Sequence, residues 1–398
     1  MKYIIFILVF ASVAACNSSN DSPGKVAIQD PDLSYLPYEP SENDLIISRS
    51  QYQDKLEGFW LGQCIANWTG LITEMDKIGG EGKDGYGAGF YTRENWSGPD
   101  EPNIWQAAAG ETPDRTIDFV LVGPEGVWGA DDDTDIEYIY QYITYENKTS
   151  ILSPEQIRNG WITHIYTDEE TPHRAGDNPE NFLWVSNQQA FDLMHEGLEP
   201  PATGHPDNNE FYEMIDAQLT TEIFGFYAPG RPDFALKMSK LPIQNTAREN
   251  AEWIAEFHVI MYSLASVTDT TKSMKDQTQW LAEQARRHLP ESSYAAHMYD
   301  FVKQQYQAGT PWETVRDSLH IKYQENAEAG YPWYTKDESC NGCFAAGINF
   351  AAGIVSWFYG EGDIKETIKI GSLAGWDSDN PTATWGGLLG FMLGKKGV

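Results

Sequence analysis

Between Val127 and Tyr140 the chain reads VWGADDDTDIEYIY, with five acids in seven residues: Asp131, Asp132, Asp133, Asp135 and Glu137. Two carboxylates about 4 Å apart repel by roughly 4 kcal/mol at a protein-surface dielectric. A folded chain must therefore leave such groups in water or bring a cation among them. Helix capping explains part of the run, because Asp is a favoured N-cap and acids in a first turn gain about 0.3–1 kcal/mol each from the helix dipole. That accounts for one or two aspartates, not three in succession. Asp131, Asp133 and Asp135 also match the first ligand positions of an EF-hand loop, but Ile136 stands where that loop needs glycine and Tyr142 where it needs glutamate. The EF-hand is excluded.

A second acidic knot lies near the C-terminus, in GWDSDNPTATWGGLLGFMLG. Asp377 and Asp379 precede Pro381, and an apolar, glycine-containing helix is expected to follow. If the two helix starts face each other, oxygens of Asp132, Asp133, Asp377 and Asp379 converge, and such a cluster stays ionised only with cations present. An all-oxygen ligand set points to a hard divalent metal, Mg²⁺ first, with Mn²⁺ or Ca²⁺ as alternatives.

The elements that must position these acids read as helices. Apolar residues recur at three- and four-residue spacing in IEYIYQYI and AEWIAEFHVIMYSLASV. SPEQIRNGWITHIY opens with Ser153 at an N-cap and Pro154 at the first helical position. Phe344 to Gly360, FAAGINFAAGIVSWFYG, is apolar with small residues all round, which predicts a buried helix; Asn349 interrupts it. No alternating strand pattern of useful length appears. Long loops rich in Gly, Pro and aromatics, such as GGEGKDGYGAGFYTRENWSGPDEPN and TPHRAGDNPEN, are where a helical scaffold would build a site. The expected architecture is all-α: one domain over residues 51–398.

Three segments in order resemble the motifs of the ADP-ribosylglycohydrolase family: GFWLGQCIANWTGLITE (Gly58 to Glu74), DDDT (Asp131 to Thr134) and GWDSDN (Gly375 to Asn380). Against the family's G-x-L-L-G-x-x-x-G-D-A-x-G, Gly58, Leu61, Gly62 and Gly70 match, as does the following Glu74, while Ala66 and Asn67 replace Gly-Asp. Against T-D-D-T, Asp131 stands in place of the first threonine; against G-x-D-x-D-T, Asn380 replaces the last. The resemblance implies a large orthogonal bundle of α-helices holding two Mg²⁺ ions. It implies metal-ligand roles for Asp132, Asp133, Asp377 and Asp379, with Asp131 and Asn380 in positions usually held by hydroxyls. It implies catalytic roles for Glu74 and the ligating Asp133, Glu74 lying over the site. Asn67 reads as structural. The stretch GLEPPATG through MIDAQLTTEIFGFYAPGRPDFALKMS also resembles bacterial members.

The N-terminus bears on substrate. MKYIIFILVFASVAAC has the basic start, short apolar run and small residues of a signal peptide over residues 1–15, and VAAC resembles a lipobox in which Cys16 is lipidated. Residues 16–50 read as a tether and extended lead-in. The expectation is an extracytoplasmic lipoprotein, held by its lipid to a bacterial, outer, membrane. In an oxidising compartment Cys340 and Cys343 are close enough to form a structural disulfide, or they are two buried thiols; Cys64 reads as core. The formal net charge of −32 excludes nucleic acid and anionic membrane surfaces as partners. No G-x-S-x-G and no zinc spacing among the histidines offers rival chemistry.

ADP-ribosylated substrates are mainly intracellular, so for an exported chain the reading favours a glycosidic or related sugar bond in an oligosaccharide from polysaccharide breakdown. Aromatic loops (YGAGFYTRENW, NFLWVSN, YPWYT) are candidates to stack on sugar faces. The alternatives are an ADP-ribosyl-bond hydrolase, an oligosaccharide lyase or dehydratase, and a glycan-binding lipoprotein without catalysis.

Overall fold

Ser48 begins the helical part of the chain. Its hydroxyl accepts from the Gln51 backbone N–H while the Gln51 side chain accepts from the Ser48 N–H, a reciprocal cap for α1 (Arg49–Gly70). The computed structural model describes residues 41–398 except 43, 83–86, 102–115, 124–125, 127, 129–130, 176 and 334–341. The signal peptide, Cys16, most of the tether and Cys340 lie outside the described residues. Ile47–Val398 cluster as one unit.

After α1 come α2 (Asp132–Asn147), α3 (Pro154–His164), α4 (Val185–His195) and two short helices, α5 (Ala217–Thr221) and α6 (Phe224–Tyr227). Then follow α7 (Pro232–Gln244), α8 (Glu249–Leu264), α9 (Met274–Arg286), α10 (Tyr294–Gln307) and α11 (Trp312–Leu319), which runs on into a π-helical turn, His320–Glu325. The series closes with α12 (Ala346–Gly360), α13 (Ile364–Leu373) and α14 (Asp379–Leu393). Ser153 and Pro154 start α3 as the sequence predicts, with a capping box to Gln156. The one strand pairing among the described residues is a two-residue hairpin, Arg174–Ala175 with Asn178–Pro179. The fold is all-α.

Two packing features position the site. The first is α12, buried on nearly every side and packed against α8, α10, α11, α13 and α14. Its small residues admit large neighbours whose polar atoms are satisfied: the Trp385 indole N–H donates to Gly353 O at 2.7 Å, and Trp357 to Thr278 O at 3.0 Å. The second is the antiparallel pairing of α1 with α14, the most extensive helix contact in the molecule. Gly58, Gly62 and Ala66 recur every four residues; Gly58 and Gly62 meet Gly390 and Gly386 backbone to backbone, and the Ala66 Cβ packs on Gly386. No described helix is long and apolar enough to cross a membrane.

A Cβ at Gly62 would fall inside contact distance of Gly386 O. Helix propensity alone predicts that Gly62→Ala stabilises by about 1 kcal/mol. Overpacking of a backbone-on-backbone contact costs about 1–3 kcal/mol and must win here. Gly62→Ala should therefore lower Tm by several degrees in a thermal melt; a rise would show that the two helices have room to separate.

Candidate metal centre

The third motif is built on strained backbone. Gly375 has φ +95° and Trp376 φ +57°, the latter a conformation that side chains seldom adopt. A Cβ at Gly375 would lie 2.5 Å from Lys77 O, so only glycine fits. Anchors hold the turn: Met75 N–H donates to Trp376 O at 2.9 Å, and the Trp376 indole N–H to Gln324 Oε1 at 2.8 Å. Arg316, fully buried, donates from Nη1 to Leu373 O at 2.9 Å, closing the C-terminus of α13. Its guanidinium also lies 4.3 Å from the centre of the Phe90 ring, which packs on Trp376. At the other side, Gly70 ends α1 where a Cβ would lie 2.5 Å from Asp379 Cα. The result is a first triad: one oxygen each from Glu74, Asp377 and Asp379, all within 4.8 Å of one another.

A second triad forms from Asp132, Asp133 and Asp216, with the same 4.8 Å limit. Asp132 and Asp133 open α2, and the first turn of α4 faces them. The backbone N–H groups of Ser186 and Asn187 donate to Asp216, as does Ser186 Oγ at 2.6 Å; the Trp184 N–H donates to Asp132. Asn187 Nδ2 donates to Asp132 Oδ2 at 2.9 Å and to Asp133 Oδ1 at 2.8 Å. The otherwise unpaired donors of a helix N-terminus are thus spent on carboxylates. Phe182 (φ +59°) and Val185 (φ +31°) bend the chain into this approach.

Burial, then the neighbouring acids, pushes the carboxyls of Asp132, Asp133, Asp377, Asp379 and Glu74 well above the usual carboxylate range. Burial pushes Asp216 up to about 6. None of the ion pairs among the described residues involves the five aspartates. Three buried oxygens at this centre, Asp379 Oδ1, Asn380 Oδ1 and Asn187 Oδ1, accept no hydrogen bond. A surplus of acceptors, all oxygen, in two sets of three, fits two hard divalent cations.

The structure thus brings Glu74, Asp132, Asp133, Asp377 and Asp379 together. Glu74 is half-buried and carries one corner of a triad. Asp131 belongs to neither triad. Its Oδ1 caps α2 by accepting from Thr134 N–H at 2.9 Å, and its Oδ2 accepts from Asn67 Nδ2. Asn380 meets the second triad through nitrogen, donating from Nδ2 to Asp133 Oδ2. Asp216 and Asn187 were not singled out from the sequence; Asp216 has no acid directly beside it and belongs to no acidic run, Glu213 being its nearest in the chain. Cys64 is half-buried and free rather than core, and Cys343 is disulfide-bonded. Of the aromatic loops, Tyr91 and Tyr331 are core, whereas Phe182 and Trp184 are 39% and 37% exposed.

The all-α scaffold brings together two acid triads, each of which could hold a metal ion. The family model for ADP-ribosylglycohydrolase matches residues 48–398, and the chain belongs to that family. It is accordingly a hydrolase-type enzyme. A solved structure described as "ADP-ribosylglycohydrolase-related protein complex" is similar with a TM-score of 0.42 and 14% identity, over 88% of this chain and 90% of that one. No curated protein matches the chain.

Glu137, one helical turn beyond Asp133 and fully buried, is pushed up to about 8 by burial. Carboxyls raised in the fold make the folded metal-free state bind more protons than the unfolded chain, so stability falls as pH rises through the raised values. For Asp216 and Glu137 this window runs from about pH 4 to about pH 8. With EDTA, Tm should fall across that range, and excess Mg²⁺ should flatten the slope. A metal-free Tm that rises with pH would refute this account.

Proposed function

We propose that this protein is a divalent-metal-dependent hydrolase acting on a glycosidic or related sugar bond of an oligosaccharide. The observation that carries the proposal is the pair of facing carboxylate triads. Asp132, Asp133 and Asp216 would hold one Mg²⁺, and Glu74, Asp377 and Asp379 the other. When bound, such ions orient vicinal hydroxyls, polarise an oxygen and lower the pKa of water.

The chain's own groups do the rest. Asn187 and Asn380 each hold one oxygen of Asp133, so this carboxylate contributes a fixed, oriented charge. Glu74 shares a hydrogen bond with Asp377 and has its carboxyl pushed up by burial and by Asp379 and Asp131, which supports a role in holding and handing over a proton. Trp184 is tied through its backbone to Asp132 while its indole stays exposed, and Phe182 is exposed beside it in the same loop. Aromatic faces at that place support a sugar ring as substrate, since sugar C–H faces stack on them. The leader reading supports delivery outside the cytoplasm on a lipidated Cys16, where oligosaccharides are the available glycosides. The second reading, hydrolysis of an ADP-ribosyl bond, is favoured by the family itself.

Metal analysis of the tag-free protein should find about two Mg²⁺ or Mn²⁺ per chain, lost in the Asp132→Ala/Asp377→Ala double variant. No bound metal at millimolar Mg²⁺ would overturn the proposal. A panel of oligosaccharides and ADP-ribosyl compounds then separates the two substrate readings by which one turns over. On the productive substrate, Glu74→Gln should lower kcat by about 10²–10⁴-fold. Trp184→Ala should raise KM for oligosaccharides with kcat nearly unchanged.

A further inference from the structure

Asn349 is a polar residue in the mostly apolar α12, and the chemistry above does not use it. It is fully buried, and both ends of its amide are committed. Oδ1 accepts from the Asp377 backbone N–H at 3.2 Å. Nδ2 donates to Cys343 O at 2.7 Å and to Ala345 O at 3.1 Å. The segment it grips, Cys343–Ala346, also runs antiparallel beside the residues leading to Asp216. Ile215 N–H donates to Phe344 O at 3.0 Å, Ala346 N–H donates to Glu213 O at 2.9 Å, and Met214 bridges Ala345.

We infer that Asn349 is a positioning residue that sets the first carboxylate triad in register with the second. It reaches Asp377 directly and Asp216 through the Cys343–Ala346 segment. The inference rests on the dinuclear reading of the site. The physical need is clear from the backbone: the turn carrying Asp377 contains Gly375 and Trp376 at positive φ and must be held from outside. The anchors at Met75, Gln324 and Arg316 come from the α1 end, α11 and its π-turn. Asn349 alone among the named anchors links that turn to the segment before Asp216. Only an amide of this length offers an acceptor to one backbone and a donor to another. An apolar residue at 349 would fill the space and leave the Asp377 N–H and Cys343 O buried without these partners.

The test compares wild type, Asn349→Ala and Asn349→Ser. Serine keeps a hydroxyl able to bond back to Ala345 O but is too short for Asp377. As a control for destabilisation alone, Ser356→Ala removes a buried hydroxyl on the same helix whose only partner among the described residues is Gly353 O. Deuterium exchange followed by mass spectrometry on EDTA-treated protein reads the linkage without metal. Both Asn349 variants should speed exchange at least tenfold in peptides covering 213–216 and 375–379, while peptides of α8 and the Ser356→Ala control stay as in wild type. Mn²⁺ titration by calorimetry should then show at least a tenfold loss of affinity at one or both sites in the Asn349 variants. Exchange faster throughout the protein, or failure of both variants to fold, would assign Asn349 to general packing and overturn the inference. Unchanged exchange in either peptide would overturn it as well. Wild type that binds no Mn²⁺ would remove the dinuclear reading on which the inference rests; two wild-type sites with both retained in the variants would remove the inference alone.

Discussion

The structure is organised around negative charge that the protein does not neutralise by itself. Five aspartates and Glu74 gather into the two triads, and none of the ion pairs among the described residues involves the five aspartates. Three helix N-termini, those of α2, α4 and α14, point at them. Each such end supplies about half a positive charge, so together they offset roughly one and a half of six carboxylates. Amide and hydroxyl donors from Asn187, Asn380 and Ser186 orient the groups without cancelling charge. Protons or cations must make up the difference. That is why the surrounding anchors are so many: a cluster that repels itself has to be held by the fold until it is filled.

The same helices carry a second polar layer one turn deeper. From Asn67, Asp133 and Asn380, four residues inward lead to Gln63, Glu137 and Thr384. Gln63 Nε2 donates to Glu137 at 2.8 Å and lies 3.4 Å from Glu222. The Tyr262 hydroxyl stands 2.5 Å from Glu222 Oε1 and 2.6 Å from Thr384 O. The hydroxyl is the donor to both oxygens, so Tyr262 ties the Glu222 carboxyl to the backbone of α14. Burial, then Glu137, drives that carboxyl well above the usual carboxylate range. The polar column therefore passes from the clustered acids at the helix starts to a buried acid in the core.

Much of this was legible in one dimension. The two acidic knots, the helix starts they occupy, the buried α12 and the all-α class follow from spacing and residue type. The ligand set was less legible because N-caps and cation ligands use the same side chain at the same place. Asp131 is a cap and Asp132 a triad member, and only the direction of the first turn separates them. Asp216 belongs to no acidic run and becomes part of the site because α4 delivers three donors to it. Two departures from the family motifs also look unrelated in sequence, Asn67 for aspartate and Asp131 for threonine. In the fold they are hydrogen-bonded partners. One acid and one donor therefore meet at this spot.

The antiparallel seam between α1 and α14 joins residues more than 300 positions apart, as in the Thr73 and Ser378 hydroxyls, which stand 3.2 Å from each other. During synthesis the glycine face of α1 has no partner until the last helix has been made. The first triad cannot exist before then, because Glu74 must wait for Asp377 and Asp379. Closing so long a loop is entropically slow, and it is the kind of contact that forms late. The growing chain therefore cannot bring these three carboxylates together until the last described helix has been made.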